Sequence, residues 1–341
     1  MVRSLLLAVV AVTCQQPGPA PATRPATPMT LDKQRELPAY AGAIAVSPDG
    51  HTWVTDEQEV IGVWTDDQRV REIAAWPQGA LSIGRDGKQV RTAAALLDLA
   101  SGTEVFAVPK LSYGGEGSGA GWSTQAAAWS PDDRQVLLWE RYRPTGLPQG
   151  EGGPSYEGPS SKVVVVDART GKSETLLSDD EEHQALAVSD RYLVAAGVAD
   201  AMVVWSRSSR SRVKRVALDE PIYAAQFTPD GKRLIVVAAG HRLAVYDSGS
   251  WQRLAEWDVL PDGAFVTAMA VHPTLPLLAA GGDDKKVHLY SLTHLGRELG
   301  GVDLAESPQA LAFTAAGDEL LVSVITQPSN LIQRYALKGH E

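Results

Sequence analysis

Catalysis and binding need particular side chains at particular spacings, and the candidates in this chain are few. Its histidines, His51, His183, His241, His272, His288, His294 and His340, are scattered. None belongs to a His-Glu-x-x-His zinc motif, and the chain holds no Gly-x-Ser-x-Gly nucleophile elbow and no P-loop. The glycines between Gly115 and Gly121 have cradle-like spacing but no strand-to-helix context, so they make no phosphate site. Asp179-Asp180-Glu181-Glu182 followed by His183 offers oxygen and nitrogen ligands for a loosely held cation. It lacks the alternating oxygens and central glycine of a calcium loop. His272 occupies a turn and His288 alternates along a strand, which suits local structural roles. A different chemistry is written in two glycine- and proline-rich stretches, residues 109–124 and 141–161. They carry Tyr113, Trp122, Arg141, Tyr142, Arg143 and Tyr156, the residue types that anchor protein interfaces.

Composition narrows what such residues can do. The chain has 341 residues, 44% hydrophobic and 21% charged, enough to bury a core. Its formal charge is −10, which argues against a nucleic-acid partner, because neutralising phosphates takes an excess of Lys and Arg. A single cysteine, Cys14, excludes an intramolecular disulfide and any cysteine-rich metal centre. No cofactor is expected.

The first residues read as a targeting segment. Arg3 supplies a positive end, and residues 5–13 are an apolar run, too short for a membrane span of about 20 residues. The run stops at Cys14. Ala11-Val12-Thr13-Cys14 resembles the lipobox of bacterial lipoproteins, although that family favours Leu at the place of Ala11 and a small residue at that of Thr13. The resemblance implies cleavage after residue 13, lipidation of Cys14 and a membrane partner reached through that lipid. A plainly cleaved signal is the alternative. Residues 14–32 are rich in Pro, Ala and Thr and read as a flexible tether.

From residue 33 onward the chain repeats. Each copy holds an apolar strand, a turn, a second strand, and a third strand ending near an aromatic or Asp. The turns include Ser47-Pro48-Asp49-Gly50, Ser130-Pro131-Asp132-Asp133 and Thr228-Pro229-Asp230-Gly231, and seven copies are counted. Proline presets φ at the second turn position, and glycine at the fourth lets the chain reverse. A fourth strand follows each copy except the last. The missing one lies at the front, where Gln34-Arg35-Glu36-Leu37-Pro38-Ala39-Tyr40 echoes Gln252-Arg253-Leu254-Ala255-Glu256-Trp257.

These repeats resemble WD40-type β-propeller blades, most clearly in Gly281-Gly282-Asp283-Asp284-Lys285-Lys286-Val287-His288-Leu289-Tyr290. Trp64 and Trp205 take the position of the family's tryptophan. The expected fold is all-β, a seven-bladed β-propeller of four-stranded antiparallel blades over residues 33–341, closed by the N-terminal strand. In such a ring the second-to-third and blade-to-blade connections share one face, here called upper. Sorted that way, the upper face collects acids such as Asp219, Asp262 and Asp283, and the lower face collects bases such as Arg134, Arg207 and Lys232.

The function expected is a non-catalytic, monomeric protein-interaction platform tethered by lipid in the bacterial cell envelope, with its contact surface on the upper face near the third blade. A periplasmic metal-dependent lactonase or other hydrolase is the alternative, as is a glycan- or peptide-binding module.

Overall fold

The computed structural model describes residues 29–39, 41–57, 59–75, 81–84, 86–92, 95–107, 121–143, 158–183, 185–198, 201–326 and 330–339. Every regular element among them is a β-strand. Each repeat forms four antiparallel strands that hydrogen-bond in chain order from inner to outer. Blade 1 runs from Ile44–Val46 to Gln68–Ala74, blade 2 from Ser82–Ile83 to Glu104–Ala107, and blade 3 from Gly121–Trp129 to Ser173–Asp179. Blade 4 runs from Ala185–Val188 to Arg212–Ala217, blade 5 from Ile222–Phe227 to Arg253–Asp258, and blade 6 from Val266–Val271 to Glu298–Asp303. Blade 7 takes Pro308–Phe313, Glu319–Ile325 and Asn330–Lys338 from the end of the chain, and Met29–Pro38 from its start.

Local chemistry makes the turns. The Ser130 hydroxyl donates to Asp132 at 2.8 Å and accepts the Gln135 N–H at 2.9 Å. Thr228 repeats the pattern with Asp230 at 2.7 Å and the Arg233 N–H at 3.1 Å. The fourth turn position needs a left-handed backbone, which Gly231 supplies at φ 67° and Asp133, unusually, at φ 60°. Middle strands are buried on both faces because each blade is sandwiched between two others, so Val163–Val166 form a continuous apolar run. Outer strands such as Arg212–Ala217 are mostly exposed, and their charges blunt the unpaired edge.

The core lies between the blades. Among the described residues there are seven apolar clusters, and each joins one neighbouring pair of blades. The junction of blade 7 with blade 1 holds Leu37, Ile44, Trp53, Trp64, Leu321 and Ile332, with the two indoles stacked 4.7 Å apart. That cluster closes the ring. Trp64 and Trp205 are both buried, as their place in the repeat implies.

The closing strand behaves as the echo predicts and adds something. It pairs antiparallel with Asn330–Lys338, from Thr30 opposite Lys338 to Pro38 opposite Leu331. It begins at Met29, so it takes in four residues that composition groups with the tether. The reason is a short alternation: Met29 and Leu31 point into the core between blades 6 and 7. Met29 and Thr30 also pair in parallel with Gly300 and Gly301 of blade 6, fusing two blades into one eight-stranded sheet. Only glycine allows this approach, because a Cβ on Gly300 would lie 1.9 Å from the Met29 carbonyl oxygen. The strand rises from the lower face, beginning there at Met29.

Candidate functional site

The inner two strands of blade 3, Gly121–Trp129 and Gln135–Arg143, are nine residues each, where most strands have six or fewer. Their extra length projects on the upper side. Gly121 lies opposite Arg143, Trp122 opposite Tyr142 and Ser123 opposite Arg141. Trp122, Arg141, Tyr142 and Arg143 therefore sit on a paired hairpin and not in loops, a correction to the reading from glycine and proline content. Trp and Tyr are residue types enriched in strands, which suits Trp122 and Tyr142 to this ladder. Tyr113 and Tyr156 lie outside the described residues, as does Cys14. The exposed Arg141 guanidinium forms an ion pair with Glu182, and the Tyr142 N–H donates to the Ser160 carbonyl at 2.8 Å.

Beneath this edge lies a buried polar layer. Glu140 and Lys162 face each other across the blade with 3.0 Å between charged atoms. Burial pushes the Glu140 carboxyl above its usual range, opposed by the lysine's hydrogen bond and charge. The Trp139 indole donates to Ser161 at 2.8 Å. In the connection to blade 4, the buried His183 Nε2 lies 3.0 Å from both carboxylate oxygens of Asp179. Asp179, Glu181 and His183 bring one potential ligand atom each within 4.8 Å of one another. Two carboxylates and an imidazole are a donor set for a divalent ion. The acidic run is thus drawn together around His183, between the outer strand of blade 3 and the inner strand of blade 4.

A second feature of the upper face has no trace in the sequence reading. Val198, Tyr223 and Phe265 are 59%, 42% and 48% exposed. They stand on blades 4, 5 and 6, at the upper ends of strands that adjoin in the ring. The Ile222 N–H donates to Gly197 at 2.9 Å, which ties the start of blade 5 to the connection of blade 4 that carries Val198. The Tyr223 and Phe265 rings meet edge to face at 6.2 Å. Phe265 lies over Gly240, where a Cβ would come within 2.6 Å of the ring, and its N–H donates to Asp283 at 2.9 Å. A usable signal was present: each stands close to a turn at the upper end of a strand.

Charge on the two faces is less simply divided than sorting predicts. Arg242 on the upper face is held by Glu220 at 2.8 Å, Asp258 at 2.8 Å and Glu256 at 3.2 Å. The Asp258 hydrogen bond, with these other acids, raises its pKa beyond the ordinary arginine value. The lower face carries the turn aspartates as well as the bases. Arg207 pairs with Asp132, Arg91 with Asp133 and Arg210 with Glu174. Hydroxyl hydrogen bonds from Thr228, Ser250 and Ser101 hold Asp230, Asp247 and Asp98 below the usual carboxylate range, so these acids stay charged beside the bases.

Comparison with known proteins agrees with this geometry. The model of the WD domain, G-beta repeat, matches residues 259–291, which cover the first three strands of blade 6. Serine-threonine kinase receptor-associated protein of Gallus gallus is 22% identical over 141 residues, 41% of this chain and 36% of that protein. Echinoderm microtubule-associated protein-like 2 of Rattus norvegicus is 25% identical over 203 residues, 57% of this chain and 31% of that protein, and the Mus musculus protein matches to the same extent. The chain spans about a third of the length of these curated relatives. Repeat match, strand topology and ring closure together make this chain a WD40-like, seven-bladed β-propeller.

Proposed function

We propose that the chain is a non-catalytic protein-interaction platform, held at the bacterial cell envelope by a lipid on Cys14 and presenting its upper face to a protein partner. One observation carries the reading. The closing strand enters from the lower face, while the projecting hairpin of blade 3 and the exposed trio Val198, Tyr223 and Phe265 lie on the opposite side. A tether on one face leaves the other free to bind. The names of the relatives, a receptor-associated protein and a microtubule-associated protein, support association as the kind of activity to look for.

Affinity capture from solubilised envelopes tests the platform, with the full chain as bait and a Tyr142→Ala, Phe265→Ser variant as control. A stoichiometric partner lost from the variant is the expected result. A partner retained by that variant, or an empty capture with folded bait, refutes an upper-face platform. Labelling with radioactive palmitate tests the anchor, and label retained by Cys14→Ser refutes it.

A second reading, a periplasmic hydrolase using a divalent ion, is favoured by the grouping of Asp179, Glu181 and His183. Elemental analysis of the purified full chain decides it. A stoichiometric ion lost on His183→Ala supports the hydrolase, and no bound ion removes it.

A further inference from the structure

We infer that Val198, Tyr223 and Phe265 form the seat for a cationic, amphipathic peptide segment of a partner protein, one with an apolar anchor flanked by Lys or Arg. This rests on the platform reading and names the partner's chemistry and its place, blades 4 to 6.

The first argument is contiguity. Val70, Val105, Val213 and Leu254, the large apolar residues exposed on outer strands, stand one to a blade, and single exposed apolar residues are ordinary. The upper trio differs because Tyr223 and Phe265 are aromatic rings in contact from two neighbouring blades, and Val198 follows Gly197, whose carbonyl accepts the Ile222 N–H.

The second argument is preorganisation. The Val198 N–H is bonded to Glu182 at 3.0 Å, and the Val266 N–H to Gly240 at 2.6 Å. With Asp283 holding the Phe265 N–H, the backbone under the trio is fixed before anything binds. A rigid, half-exposed aromatic pair loses little entropy when covered, which is what an interface anchor requires.

The third argument is charge. Asp219, Asp262 and Asp283 are exposed on the connections that flank the trio. The bases nearby are already engaged: Arg242 by Glu220, Glu256 and Asp258, Lys285 by Glu306 and Lys286 by Asp303. An acidic border around an apolar centre selects against anionic segments and steers basic ones, while the anchor supplies the burial.

Fluorescence anisotropy with three synthetic peptides tests the inference on the full chain. The first combines Lys and Arg with a central Leu-Phe anchor, the second replaces its bases by Glu, and the third replaces its anchor by Ser. The first should bind, with the other two weaker by about tenfold or more, equivalent to roughly 1.4 kcal/mol. Phe265→Ser with Tyr223→Ser should weaken the first peptide by a similar factor. Asp219→Asn with Asp262→Asn, which leaves the apolar centre intact, should weaken it and flatten its salt dependence. Equal binding of the basic and acidic peptides overturns the inference, as does binding unaffected by both double variants. Binding lost on Tyr142→Ala alone moves the site to blade 3 and also overturns it. A protein partner captured by the Phe265→Ser, Tyr223→Ser variant, with no peptide bound, overturns this seat and leaves the platform reading standing.

Discussion

Replacing Leu31 by alanine separates a structural strand from a flexible tether at the start of the chain. Leu31 is 6% exposed and packs with Met29 into the core between blades 6 and 7. The substitution removes three buried carbons, about 2.4 kcal/mol at roughly 0.8 kcal/mol per methylene. A cavity term adds to this, because a core held by two blades and the parallel pairing with blade 6 cannot collapse freely, giving about 3 kcal/mol in all. With a urea dependence near 3 kcal/mol/M for a domain of this size, the unfolding midpoint should fall by about 1 M. Intrinsic tryptophan fluorescence reads the transition, since Trp53 and Trp64 sit at the neighbouring junction. Thr30→Ala, exposed on the same strand, should change stability by no more than about 0.5 kcal/mol. A Leu31→Ala midpoint within about 0.2 M of the parent would refute the reasoning, because it would mean that the strand contributes no burial.

Three further outcomes follow from the geometry. Gly300→Ala should drive the Met29 carbonyl away and speed amide exchange at Met29 and Leu31, and unchanged exchange would show that the parallel seam does not form in solution. Thr55→Val should cost about 1–3 kcal/mol in urea unfolding, because the buried Trp64 indole N–H that donates to Thr55 at 3.1 Å is left without its acceptor. Two histidines should oppose each other in pH dependence. Burial lowers the His272 pKa against its hydrogen bond to Gly317, and the neutral ring accepts N–H groups at Nδ1, so its contribution is whole above pH 6.5 and declines as pH falls below. Burial would lower His288 too, but hydrogen bonds to Glu298 and Asp284 outweigh it and raise the pKa, so its contribution is whole below pH 6.5 and is lost as pH rises through the folded value. Ring-proton titration by NMR should place His288 above His272, and the reverse order would contradict both environments.

Much of the propeller was legible because its punctuation is local. A Ser or Thr that bonds an Asp two residues on, then a glycine with positive φ, is complete within a handful of residues and needs no tertiary partner. Repetition of that unit conveyed the blade, and the echo of the Gln252 strand around Gln34 conveyed how the ring closes. The candidate site was less readable. Whether Arg141 and Tyr142 lie in a loop or on a strand depends on Trp122 and Ser123, which reach them only when the hairpin zips. The grouping of Asp179, Glu181 and His183 depends on the path between two blades.

The sequence by itself determined the fold class, the blade count and the excess of acid, because turn chemistry, strand alternation and net charge belong to short segments or to simple sums. Only the tertiary structure decided which surfaces those segments share. It fused blades 6 and 7 through Met29 and Gly300, tied lower-face bases to turn aspartates, and brought the Tyr223 and Phe265 rings together from two blades. Adjacency around a closed ring is set by the packing of whole blades, and no stretch of chain shorter than a blade carries it.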